Sequence, residues 1–271
     1  MNDKPNIHTE DEIIDILYSA MERFNDVLNF DISADNTAVA FFNSQNAVEV
    51  YEHFCSENFP DWLHEDYTAE GYFESAAASA FVGEKYGIMI RLDLKWSSYE
   101  YFRTFLHEIS HIFCTVNEIE GGNFFSRYCL GSGIEDGVIN AGYAIWREAI
   151  ADIMADAVYS DMAEVSLKNV RSEVTRLYDL VLPYNPDSKK CMSLIIAYMM
   201  TSYEVSVTDN WEDAEKSIRE IIGFSDDFIY QIAKTVFENL HDGPFWTITP
   251  EFIIDLGETY IALLAGKILK S

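Results

Sequence analysis

The sequence predicts an α+β fold: a small N-terminal mixed β-sheet with helices, followed by a mainly helical C-terminal part. Residues 37–42, 79–82 and 86–94 are short, β-favouring runs bounded by turn formers. From Ser98 onward, apolar residues recur at helical spacing almost to the C-terminus. With 271 residues, 49% of them apolar, the chain can bury a sizeable core.

In the first helix, over 12–29, Ile13, Ile16, Leu17, Ala20, Met21 and Phe24 share one face. Thr37 to Phe42 reads as a strand ended by Asn43-Ser44, and a helix follows over 47–59. The acidic stretch 60–71 reads as loop. Gly83-Glu84-Lys85 joins two strands, and in the second of them Ile88, Ile90, Leu92 and Leu94 alternate with Met89, Arg91 and Asp93, the pattern of a half-buried strand. A strong helix is expected over 99–116, then a glycine-rich connection over 120–142. A second strong helix follows over 143–162, joined closely to another reaching Leu182. After the break at Pro183-Tyr184-Asn185-Pro186, helices fit 188–205, 211–222, 226–240 and 250–269. This order divides the chain into a catalytic part over 1–182 and a helical subdomain over 183–271.

The formal charge of −28, from 46 acidic against 18 basic residues, disfavours nucleic acid and anionic membranes as partners. That charge reads either as a well-solvated, soluble surface or as a preference for basic peptides over acidic ones. The oligomeric state is not legible. The N-terminus shows no secretory pattern, and no apolar run reaches membrane-spanning length, so a cytoplasmic protein is expected. Cys55, Cys114, Cys129 and Cys191 form no CxxC pair, which fits reduced thiols.

The segment that carries chemistry is His107-Glu108-Ile109-Ser110-His111. On a helix, residues four apart lie on one face, so both imidazoles can reach one ion. Glu108, one position round, can take a proton from a metal-activated water without itself coordinating. A catalytic Zn2+ commonly has three protein ligands, and the third must come from another element. The candidate is Glu148, at the opening of the next helix in Trp146-Arg147-Glu148-Ala149-Ile150-Ala151-Asp152. Asp152, one turn on, is placed to accept the N–H of a ligand imidazole, and Asp156 continues that face. Ala151 and Ala155 would allow a close helix approach.

HExxH followed by a Glu-x-x-Ala-Asp helix resembles the gluzincin branch of the zincin metallopeptidases, over residues 103–156. The resemblance implies a zincin-like fold, His107, His111 and Glu148 as zinc ligands, Glu108 as catalytic base and Asp152 behind a ligand histidine. It also implies an edge strand just before the motif helix that pairs with extended substrate, a place taken here by Tyr86 to Leu94. The metzincin variant is disfavoured, because Ile112-Phe113-Cys114-Thr115-Val116-Asn117 lacks its glycine and third histidine. Gluzincins also supply an oxyanion-stabilising Tyr or His. His241 is the first candidate, with Tyr143, Tyr198 and Tyr203 as others, against the ordinary role of a helix-terminal histidine. His8, His53 and His64 have no partner spacing. The 120–142 segment, with Phe124, Phe125, Tyr128 and Ile134, reads either as a lid over a cleft or as a self-packed excursion.

The expected function is a zinc metallopeptidase acting on a protein or peptide. The alternatives are a non-peptide zinc hydrolase and a zincin-fold binding or regulatory protein. A closed structural zinc site is disfavoured by the absence of four spaced Cys or His ligands.

Overall fold

The computed structural model describes residues 8–62, 76–119, 133–159, 167–224, 226–241 and 248–270. It is mostly helical with a small mixed sheet, an α+β protein, and divides into two compact units, Met1–Val116 and Asn117–Ser271.

In the first unit, α1 (Glu10–Leu28) starts at a reciprocal cap. The Thr9 hydroxyl accepts the Glu12 N–H, and the Glu12 carboxylate accepts the Thr9 N–H. It ends at Asn29, whose φ of 49° is left-handed. Next come β1 (Thr37–Phe42), α2 (Ala47–Asn58), a 3-10 turn at Pro60–Trp62, β2 (Ala78–Val82), β3 (Tyr86–Arg91) and α3 (Ser98–Val116). The strand order is β1-β3-β2, with β1 parallel and β2 antiparallel to β3.

Two expectations about β3 are corrected. It is the central strand, paired on both sides, and so has no free edge to offer a substrate. Nor is it half-buried: Ile88, Met89 and Ile90 are all fully buried. Met89 joins Phe54, Phe59 and Phe81 in the cluster beneath α2, while alternation turns Ile88 and Ile90 to the opposite face. Gly87 makes this possible, because a Cβ there would stand 2.4 Å from the Phe59 ring. The strand also ends earlier than expected, at Arg91. The Asp93 carboxylate accepts Ser44 N–H and O–H and the Arg91 guanidinium, which bends the chain off the sheet. Arg91, helped by Ser44, holds that carboxyl well below the usual range.

α3 opens with the Ser97 N–H and hydroxyl both donating to the Glu100 carboxylate. It packs on α1, where Phe24 meets Phe113 edge-on at 5.8 Å, and on β2. Tyr101, Phe105, Leu106, Ile109 and Ile112 form its buried face.

The second unit holds α4 (Ile134–Tyr159), α5 (Leu167–Leu180), α6 (Ser188–Met200), the short α7 (Tyr203–Ser206), α8 (Trp211–Ile222), α9 (Asp227–His241) and α10 (Pro250–Lys270). α4 packs on α6 and α10 and so falls with the C-terminal helices by its contacts. It begins at Ile134, not near Tyr143, so residues 134–142 of the expected connection are helical. Residues 120–132, with Phe124, Phe125, Tyr128 and Cys129, and residues 160–166 lie outside the described residues, as does the side chain of Ile134.

Gly137 and Gly142 therefore sit inside a helix, against the usual reading of glycine as a break. The reason for Gly142 is a close crossing: a Cβ there would lie 2.1 Å from the Ile253 carbonyl of α10, and one on Gly257 would lie 2.1 Å from the Val138 carbonyl of α4. Two backbones approach through reciprocal glycines. Among the described residues Cys55, Cys114 and Cys191 are buried, and no helix is long and apolar enough to cross a membrane.

Candidate metal centre

The buried face of α3 fixes the rotation of that helix, and the histidines occupy the stripe beside it. His107 is half-buried and His111 is 6% exposed. Their rings are perpendicular, 87° apart with centroids 4.6 Å apart, and the two Nε2 atoms face one another at 3.0 Å. Two nitrogens bound at about 2.1 Å to one tetrahedral ion lie roughly 3.4 Å apart, so the pair is pre-set close to the separation a shared cation requires. Glu108 is 8% exposed, a carboxylate held in the interior directly beside the pair. Ser110, fully buried within the motif, returns its hydroxyl to the Leu106 carbonyl at 2.7 Å and so satisfies itself inside the helix.

Glu148 lies well inside α4 and does not open it. Ile145, Trp146, Ala149 and Ile150 around it are fully buried. The Trp146 ring meets Phe252 edge-on at 4.9 Å, while its indole N–H points to the Ile119 carbonyl at 3.5 Å. This anchoring leaves Glu148 half-buried. Asp152, one turn on, is a buried and partnered carboxylate, and Ala151 and Ala155 are fully buried. One ligand atom from each of His107, His111 and Glu148 lies within 4.8 Å of the others, a group able to hold a metal ion. Two imidazole nitrogens and a carboxylate oxygen are a donor set suited to zinc with an open position.

His241 ends α9, exposed, with its ring stacked on Phe237 at 4.0 Å and its Nδ1 against the Phe237 carbonyl at 2.8 Å. That contact satisfies a terminal carbonyl of its own helix. Tyr143 is buried and Tyr198 half-buried, while the Tyr203 side chain and His64 lie outside the described residues. His8 packs edge-on against Tyr101 at 5.5 Å, and His53 is exposed beside Glu57. Asp156 is half-buried and partnered.

Sequence reasoning missed the parts played by Ser110 and Trp146. A serine inside a helical motif and a tryptophan two residues before a ligand candidate are visible signals, but their partners are not. No protein-family model, curated protein or solved structure matches the chain.

Proposed function

We propose that the chain is a zinc-dependent metallopeptidase of the gluzincin kind, cutting peptide bonds in a protein or peptide. One observation carries this reading: His107, His111 and Glu148 offer three ligand atoms within 4.8 Å of one another. Buried Glu108, next in the chain to a ligand, supplies a base where a hydrolase needs one. His107, His111 and Glu148 would hold a zinc ion, which would supply a Lewis acid to polarise a peptide carbonyl and make water more acidic. Glu108 accepts the proton of the attacking water and returns it to the leaving nitrogen. Asp152 steadies a ligand imidazole by accepting its second N–H. The net charge of −28 favours basic peptides through long-range attraction.

The test combines metal analysis, digestion of a broad peptide library and Glu108→Gln. The wild type is expected to retain stoichiometric zinc and to cleave. Glu108→Gln should keep the metal and lose roughly 10²- to 10⁴-fold in turnover. A protein that takes up no zinc, or a Gln variant with undiminished cleavage, refutes the proposal.

A further inference from the structure

The antiparallel register determines which backbone groups of β2 are already paired. Arg91 donates its N–H to the Ala77 carbonyl and Gly83 donates to the Lys85 carbonyl, so 77, 79, 81 and 83 turn toward β3. The N–H and C=O of Ala78, Ala80 and Val82 therefore point along the outer edge of the sheet. The last of these carbonyls is occupied: Trp62 donates its indole N–H to Val82 O at 2.9 Å. Trp62 is itself fixed. Its ring stands edge-on to buried Phe81 at 5.6 Å, and its own carbonyl accepts the Tyr51 hydroxyl. An indole is a donor only, so it satisfies the carbonyl without extending the ladder.

We propose that Trp62 is a specificity-determining residue that closes the outer edge of β2 at Val82, so that within this strand an extended peptide pairs with Ala78 and Ala80. This rests on the metallopeptidase reading, in which a peptide chain is the substrate. α3, which carries His107 and His111, packs against β2, so a strand added there runs beside the helix with the candidate ligands. Chain beyond the pairing stretch gains no backbone hydrogen bond at the Val82 end, and that end tolerates short or bulky substrates.

The experiment takes a peptide that the wild type cleaves in a library digest and lengthens it two residues at a time at either end. kcat/KM is measured for the wild type, for Trp62→Phe and for Trp62→Leu. Both replacements uncover the Val82 carbonyl, and the second covers the case in which the first fails to fold. The wild type is expected to reach a plateau. Both altered proteins should gain a further roughly three- to ten-fold when two residues are added at one end, the worth of one backbone hydrogen bond. The gain should appear in KM with kcat unchanged, as uniform binding does. The same plateau in every protein, with cleavage retained, overturns the role of Trp62 and leaves the metallopeptidase reading standing. Failure of the wild type to cleave any peptide removes that reading and this inference with it.

Discussion

Two glycines of α4 should respond in opposite directions to the same change. At Gly142 an added Cβ would stand 2.1 Å from the Ile253 carbonyl, a backbone atom that no rotamer can move. Real Cβ contacts essentially never fall below 3.0 Å, so α4 and α10 must part by about 1 Å. That opens the interface around Trp146 and Phe252, at a cost of about 3 kcal/mol by analogy with overpacked and void-bearing cores. Alanine's better helix propensity returns about 1 kcal/mol, so Gly142→Ala should lose about 2 kcal/mol net. At Gly137, exposed on the same helix, an added Cβ meets nothing within 4 Å. Only the propensity remains there, and Gly137→Ala should gain about 0.5–1 kcal/mol. Urea titration and thermal melts read both. At roughly 2–4 °C per kcal/mol for this size, Gly142→Ala should lower Tm by about 4–8 °C and Gly137→Ala should raise it by about 1–4 °C. Equal shifts of the same sign would refute the close-crossing argument.

Glu148→Ala should weaken zinc binding by at least tenfold while leaving the melt of the metal-free protein within about 1 kcal/mol, since the side chain is half-buried; competition with a chelator reads the first and calorimetry the second. Burial pushes the Cys55 thiol up to about 11 from an ordinary 9 and raises the phenols of Tyr178 and Tyr260. A raised folded value means the stabilisation is whole below the unfolded value and is lost as pH climbs, so the urea midpoint should fall between pH 9 and 11, and Cys55→Ala should flatten the start of that decline.

The sequence carried the local half of the structure. Thr37 to Phe42 and Trp211 to Ile222 were legible because period and punctuation agree over a few residues. What it did not carry depends on distant partners. β3 reads as half-buried until α2 and Phe59 are known to cover its second face. Gly142 reads as a break until Ile253 and Gly257 arrive across the helix crossing. The candidate site divides the same way. His107 and His111 are brought together by the helical repeat alone, whereas Glu148 was legible as an acid on the next strong helix but was placed at that helix's opening and lies in its interior. The bond from Trp62 to Val82 links positions that no periodicity relates.

The mixed sheet also has a history written into it. β2 and β3 are joined by the short Gly83-Glu84-Lys85 link, so their antiparallel ladder closes a minimal loop and forms among chain neighbours. β1 must be returned to β3 across α2 and everything after it, a slower, long-range parallel pairing. A chain with the hairpin made and β1 not yet docked would leave one side of the apolar β3 open, a template for another chain. Refolding yield should be most sensitive to concentration at that stage.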